Sequence, residues 1–229
     1  MVTLTSRKDI SSTKKIIGSE LAKMQQAFFD EEVFQLHKND NEEELYRERF
    51  DCIQNEIVNY NTFNKIIGLK HQDINTYTSE LSIKLNDLFE AIGAEQIIII
   101  SHLKIDFFGN RDNTFQLLES AYSRLEAIVA DDTFKEAFVI DIKSLPDFIN
   151  ILFWIIRYDP VAAEYIFLFD DKEQVEIFLC KYGNVHLTEF NEERLTEVKL
   201  VDLGWTIIKG EEHDNFTGDG KIEGRQIKM

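Results

Sequence analysis

The sequence FVIDIKSLPDFINILFWIIRY, residues 138–158, shows the change of pattern that decides the fold. Residues 138–142 alternate with the period of two that is typical of a β-strand. Ser144 and Pro146 are typical of the start of a helix. Residues 145–158 are apolar on almost every side of such a helix, which indicates that it is central and buried. A strand followed by a buried helix predicts an α+β protein.

The chain upstream of this stretch is dominated by apolar stripes with helical spacing. The stripes run from Ile17 to Phe28, from Tyr46 to Tyr60 and from Leu81 to Ile92. The second stripe predicts a long helix. Whether this helix extends to Ile67, with Gly68 as its C-cap, is left open. Each stripe lasts only a few turns, so we expect packing on one another or on a sheet. Seams that bind another protein are the alternative.

The chain downstream of residue 94 alternates between strand and helix patterns. Strands are predicted at 97–100, 138–142, 164–169, 175–179, 185–187, 198–203 and 205–208, and helices at 115–129 and 145–158. The last strands are separated by short turns, which indicates an antiparallel meander. The sequence therefore predicts a helical N-terminal region (1–93) packed on a mixed sheet with a C-terminal antiparallel meander (94–229). One fused domain is an equally good interpretation, because no linker composition marks the boundary.

The chain is strongly acidic, with a formal net charge of −17 over 229 residues. Residues 159–214 contain 14 acidic and five basic side chains, so about half of the net charge lies in this segment. Such a field repels phosphate groups and anionic lipids. It predicts no nucleic-acid and no membrane partner, and it favours a basic protein partner. A role in solubility alone is the alternative.

Motifs for cofactor or metal binding are not apparent. The five histidines form no metal-ligating pair, and no phosphate-binding loop or nucleophile elbow is present. Cys52 and Cys180 are too few for a disulfide framework, and the first residues lack the apolar stretch of a signal peptide. We therefore expect a cytoplasmic protein without a cofactor or a metal, and a binding protein rather than an enzyme.

One enzymatic alternative is a metal-dependent nuclease, which would use an acidic residue and an Asp/Glu-x-Lys triplet on adjacent strands. Two triplets match, Asp141-Ile142-Lys143 and Glu197-Val198-Lys199, and Asp131 and Asp132 precede the first. Triplets of this kind arise by chance in a chain with 29% charged residues. The acidic field also opposes a nucleic-acid substrate.

An acidic cluster surrounds the predicted hairpin between residues 164 and 179. It is the expected partner-binding site, with Tyr182 at the next turn as an aromatic anchor. Its carboxylates belong to Asp159, Glu164, Asp170, Asp171, Glu173 and Glu176. We expect the turn at 170–173 to project from the sheet and to pair with basic side chains of a partner. A solvated face without a partner is the alternative.

The segments EYIFLFD (164–170) and FLCKYGNVH (178–186) resemble parts of small bacterial immunity proteins, which neutralise toxins delivered between competing cells. The resemblance spans about residues 144–186. It implies an acidic, cytosolic antitoxin that binds and blocks a basic toxin domain. A structural or adaptor module for protein interaction is the second hypothesis, and the metal nuclease is the third. The oligomeric state is left open.

Overall fold

The computed structural model describes residues 1–70, 74–130, 133–181 and 183–209, which form an α+β structure. The strands are β1 (Val2–Thr5), β2 (Thr62–Gly68), β3 (Gln96–Ser101), β4 (Ala137–Asp141), β5 (Ile166–Asp170), β6 (Val175–Leu179), β7 (Val185–Phe190) and β8 (Thr206–Ile208). The helices are α1 (Arg7–Thr13), α2 (Lys15–Phe28), α3 (Glu31–Asn39), α4 (Glu43–Arg49), α5 (Ile74–Ala91), α6 (Gln116–Val129), α7 (Leu145–Tyr158) and α8 (Glu197–Asp202). A 3-10 turn (Ile142–Ser144) leads into α7.

The eight strands in the described part of the chain belong to one sheet with the order β1-β4-β3-β5-β6-β7-β2-β8. Every described strand pair is antiparallel. The sheet therefore differs from the expected mixed sheet, which would also contain parallel pairs. The α+β class and the β5-β6-β7 meander are confirmed. The first 93 residues are not wholly helical, because they contribute β1 and β2 to the same sheet as the later strands.

The larger core lies between one face of the sheet and the helices α5, α6 and α7. Helix α7 contacts both α5 and α6, and it buries nine side chains, including Phe148, Leu152 and Trp154. The sheet presents Ile97 and Ile99 of β3 to this core. The prediction of a buried central helix at 145–158 is thus confirmed, although the Ser144 side chain makes no capping hydrogen bond.

The opposite face of the sheet is covered in part by α1 and α2. Ile17 and Leu21 of α2 are buried against Ile98 of β3 and against Phe167 and Phe169 of β5. Alternate residues of the central strands β3 and β5 therefore enter two cores, as the period of two in a β-strand requires. The apolar stripe on α2 packs on the sheet, and that on α5 is buried in the larger core.

The long helix predicted at 46–60 is wrong. Helix α4 ends at Arg49 and is followed by turns, and residues 62–68 form β2. Gly68 is the last residue of that strand and not a helix cap. The turn is held by distant contacts, because Asp51 binds Arg7 and the backbone N–H of Cys52 donates to Gln25. These tertiary hydrogen bonds replace the local ones of a continued helix.

The strand predicted at 198–203 is also wrong, because residues 197–202 form α8. Thr196 begins this helix, and its side-chain oxygen accepts a hydrogen bond from the Lys199 backbone N–H. Leu200 is buried on the α7 side of the sheet, whereas Val198 and Val201 are exposed. The strand predicted at 205–208 is confirmed as β8.

Candidate functional site

The predicted partner-binding turn between β5 and β6 is built into the fold. Asp170 is fully buried, and its carboxylate accepts hydrogen bonds from the backbone N–H groups of Lys172, Gln174 and Val175. The carboxylate therefore closes the hairpin, in the way that Asp side chains commonly stabilise turns. Asp170 is not available to a partner in this structure.

The two other carboxylates of the turn bind neighbouring elements. Asp171 Oδ1 accepts from the backbone N–H of Glu95 at 3.0 Å, which connects the turn to the start of β3. Glu173 Oε1 accepts from the backbone N–H groups of Ile16 and Ile17 at 2.7 and 3.1 Å. These two groups belong to the first turn of α2, where backbone donors lack partners inside the helix. The turn thus packs against the body of the protein and does not project from it.

The remaining residues of the predicted site are dispersed. Asp159 is buried, and its two oxygens accept hydrogen bonds from the Tyr122 hydroxyl and the Val161 backbone. Glu164 is exposed. Glu176 is buried on the α2 face, and Tyr182 lies outside the described residues. The structure therefore does not bring the predicted carboxylates together on one exposed surface.

The two nuclease triplets have other surroundings. Asp141 ends β4, and its Oδ2 lies 2.7 Å from the N-terminal ammonium group. Glu197 and Lys199 lie on α8, where the Glu197 carboxylate pairs with Lys209 and the Lys199 ammonium donates to the Ala91 carbonyl. Asp131 and Asp132 lie outside the described residues. Within the part of the chain that is described, no group of three His, Cys, Asp or Glu side chains is placed to hold a metal ion.

A buried polar network joins α1, α2 and the end of β3. The guanidinium of Arg7 is fully buried and donates to both Asp51 oxygens at 2.9 and 3.1 Å. It also donates to the Ser101 carbonyl at 2.6 Å. The Gln25 amide donates to Asp51 and to the His102 carbonyl. Burial acts to raise the pKa of Asp51, but hydrogen bonding and charge from Arg7 outweigh it and lower that pKa.

A second polar cluster lies between α2 and the sheet. The ammonium group of Lys23 donates to Glu20 at 2.8 Å and to the Tyr60 hydroxyl at 2.9 Å. Glu176, the second residue of β6, is only 7% exposed. Its Oε2 has no hydrogen-bond partner among the residues that the structure describes. Burial, together with the nearby charge of Glu20, raises the pKa of Glu176 to about 8, and Lys23 opposes this effect.

Two adjoining cavities, of about 600 and 690 Å³, lie beside β6 and β7, and the first is also lined by the end of α7. Both are lined by Phe178 and His186, whose rings stack with centroids 4.2 Å apart. The first cavity extends to Tyr165 and Cys180 on the β5 side. Charged groups of both signs line it, so it shows no charge preference.

Helices α3 and α4 form an acidic hairpin, which we define as residues 30–49. This segment contains eight acidic and three basic side chains. The sequence pattern does not single it out, because the stripe from Tyr46 to Tyr60 predicts one long helix. Three aliphatic side chains on the hairpin are exposed, Val33 (39%), Leu36 (63%) and Leu45 (58%). These three aliphatic residues fall outside the helix faces that carry the buried Phe34 and Tyr46. That position is the feature of the sequence that indicates an exposed apolar surface here.

The described helices include none that is both long and apolar enough to cross a bilayer. Comparison of the chain with models of known protein families, with curated proteins and with solved structures finds no match. The function must therefore be argued from the surface of the molecule itself.

Proposed function

We propose that this protein is a non-enzymatic, acidic binding protein of the immunity or antitoxin type, which binds and blocks a basic toxin domain in the cytoplasm. The observation that supports this proposal is the placement of charge on the acidic hairpin. The hairpin has eight carboxylates against three basic side chains, and it contributes no residue to either of the two cores of the sheet. An element that is not needed to cover the sheet is free to serve a partner.

The whole chain carries the same sign of charge as the hairpin. The carboxylates of Asp159, Asp170 and Glu189 are buried and already bound within the fold. They account for little of the net charge of −17, so the surface field remains strongly negative. Opposite fields on two proteins raise their association rate and disfavour partners with the same sign. A toxin domain that acts on nucleic acid has the basic cleft that such a field attracts.

The alternative of an adaptor protein would need a binding surface other than the apolar helix stripes. Its basis was the set of apolar stripes on the helices, and the stripes on α2 and α5 are buried against the sheet. The resemblance of residues 144–186 to immunity proteins therefore remains the more useful guide to the partner class.

The direct test is co-expression in bacteria with any toxin domain that is found to be encoded beside the gene for this chain. We expect growth to be restored, and we expect the purified proteins to form a complex whose association slows as salt is raised. A toxin domain from an unlinked gene serves as the control and should remain toxic. Absence of binding at low ionic strength, together with persistent toxicity, would disprove the proposal.

A further inference from the structure

We propose that the acidic hairpin is the element that enters the partner's binding cleft, and that this cleft has an apolar floor inside a basic rim. The inference rests on the proposed function and adds to it the surface used and the shape of the partner site. Four features of the hairpin support it: a small core of its own, rigidity, exposed aliphatic groups and unpaired charge.

The hairpin has a small core of its own, distinct from the two cores of the sheet. Helices α3 and α4 pack mainly on each other, around a small core formed by Phe34, Tyr46 and Phe50 with Phe29. The backbone N–H of Lys104 donates to the Arg49 carbonyl at 2.9 Å and connects the hairpin to the loop after β3. The Glu48 carboxylate also lies 3.5 and 3.9 Å from the ammonium groups of Lys104 and Lys135. The hairpin is thus joined to the rest of the molecule at its α4 end and does not enter either core of the sheet.

The hairpin is also well ordered by its own contacts. The Phe29 ring packs against the rings of Phe34, Tyr46 and Phe50 with centroid distances between 5.1 and 5.6 Å. Tyr46 donates its hydroxyl to the Asp30 carbonyl at 3.2 Å and accepts from the Asp30 backbone N–H. A surface that is ordered before binding loses less conformational entropy when the complex forms.

The exposed aliphatic side chains are the apolar part of the proposed interface. Val33 and Leu36 are three residues apart on α3, a spacing that places them on neighbouring positions of the helix surface. Leu45 lies on the other helix and is similarly exposed. Single exposed aliphatic residues are ordinary on a protein surface. Three of them lie on one acidic element of 20 residues, and we assign them to the apolar floor of the partner's cleft.

Charge determines the kind of partner. Glu32, Asp40 and Glu44 are exposed and have no ion pair with any residue that the structure describes. Glu43 and Glu42, by contrast, pair with Arg47 and His37 within the hairpin. The unpaired carboxylates favour a rim of Lys or Arg on the partner. An anionic or neutral partner surface gains nothing from them.

The first experiment measures binding kinetics between the full chain and the co-expressed toxin domain. We expect Leu36→Ser with Leu45→Ser to weaken affinity about tenfold or more, chiefly through faster dissociation. Glu32→Gln, Asp40→Asn and Glu44→Gln together should slow association and reduce its salt dependence. The matched controls are Val198→Ser with Val201→Ser on α8, which are 72% and 56% exposed, and the charge variant Asp112→Asn, Glu126→Gln, Asp202→Asn. If the hairpin variants bind no differently from their controls, the inference is wrong and the proposed function stands.

The second experiment does not depend on the toxin. A cationic amphipathic peptide built from Lys and Leu is titrated into the isotope-labelled full chain, and backbone amide shifts are followed by NMR. We expect the largest changes in residues 30–49, and weaker binding by the Leu36→Ser, Leu45→Ser variant. Changes centred on the Phe178–His186 cavities or on the β5–β6 turn would overturn the inference. Amide shift changes in the hairpin without inhibition of any toxin would support the docking surface. They would count only against the proposed inhibitor role.

Discussion

The Glu173 carboxylate accepts a hydrogen bond from the backbone N–H of Ile16, 157 residues earlier in the chain, at a distance of 2.7 Å. Helix α2 has Lys14 at its N-cap position and no side-chain cap of its own. A side chain from the β5–β6 turn therefore supplies the acceptor that a local Ser, Thr, Asp or Asn normally provides. The turn thus connects the start of α2 to the β5–β6 edge of the sheet.

Replacement of Glu173 should therefore destabilise α2. We expect Glu173→Ala to lower the free energy of unfolding by about 1–2 kcal/mol, the usual effect of removing a helix cap. Glu173→Gln keeps an oxygen acceptor and should lose less than Glu173→Ala. Urea denaturation followed by circular dichroism measures the difference, with the exposed Glu164→Ala as the control. Equal stabilities of Glu173→Ala and wild type would show that the cap contributes nothing.

Loss of the Arg7 guanidinium should strongly destabilise the polar network between α1, α2 and the end of β3. Arg7→Met leaves Asp51 without its charged partner in a mostly enclosed position, for which we expect a loss of about 3 kcal/mol. Asp51 keeps 20% side-chain exposure, so Asp51→Asn alone should cost less. The double variant should be less destabilised than the sum of the two, with a coupling of about 0.5–3 kcal/mol. Additive losses in a denaturation cycle would contradict a direct Arg7–Asp51 interaction.

The buried carboxyl group of Glu176 should make the protein less stable as pH rises. Its pKa is about 8 in the folded protein and has an ordinary value of 4.5, so the folded state retains a proton that the unfolded chain has released. Stability should fall from pH 4.5 to pH 8, by up to about 1.4 kcal/mol for each pH unit. Glu176→Gln should remove this slope and be more stable than wild type at pH 8. Thermal unfolding across this range is the measurement, and parallel pH profiles for the two proteins would refute the assignment.

His102 should have the opposite effect at acid pH. Burial lowers its pKa to about 4 from an ordinary value of 6.5, although Nδ1 lies 3.2 Å from the Tyr165 carbonyl oxygen. The unfolded chain therefore binds a proton that the folded protein does not, and stability should fall as pH drops from 6.5 to 4. NMR titration of the imidazole gives the pKa directly. A value near 6.5 would show that the ring is not enclosed as described.

The features predicted correctly from the sequence are those whose pattern is local. The apolar faces of α2, α5 and α7 and the β-branched run in β3 each specify burial within a short segment. The stripe from Tyr46 to Tyr60 has the same helical spacing, yet Asp51 and Tyr60 make contacts with residues far away in the chain that end the helix. No local pattern reports such contacts.

The candidate site could be predicted only in its chemical character. The acidity of the chain indicates a basic partner whatever the fold. Which carboxylates remain exposed depends on distant groups, such as the Ile16 amide that binds Glu173 and the Tyr122 hydroxyl that binds Asp159. The predicted hairpin is present, but its carboxylates mostly bind the protein's own backbone.

The strand order has a consequence for how the chain acquires its structure during synthesis. β1 pairs with β4, so that Val2 lies opposite Ile140, and β2 pairs with β7, so that Thr62 lies opposite Phe190. A nascent chain therefore holds β2 without its neighbour until nearly all of the described sequence has left the ribosome. Pairings between residues so far apart close large loops, which slows folding and prolongs the exposure of unpaired strand edges. We expect the chain to refold slowly for its size and to depend on chaperones. A variant whose sequence is rearranged so that β2 directly precedes or follows β7 should lose that dependence.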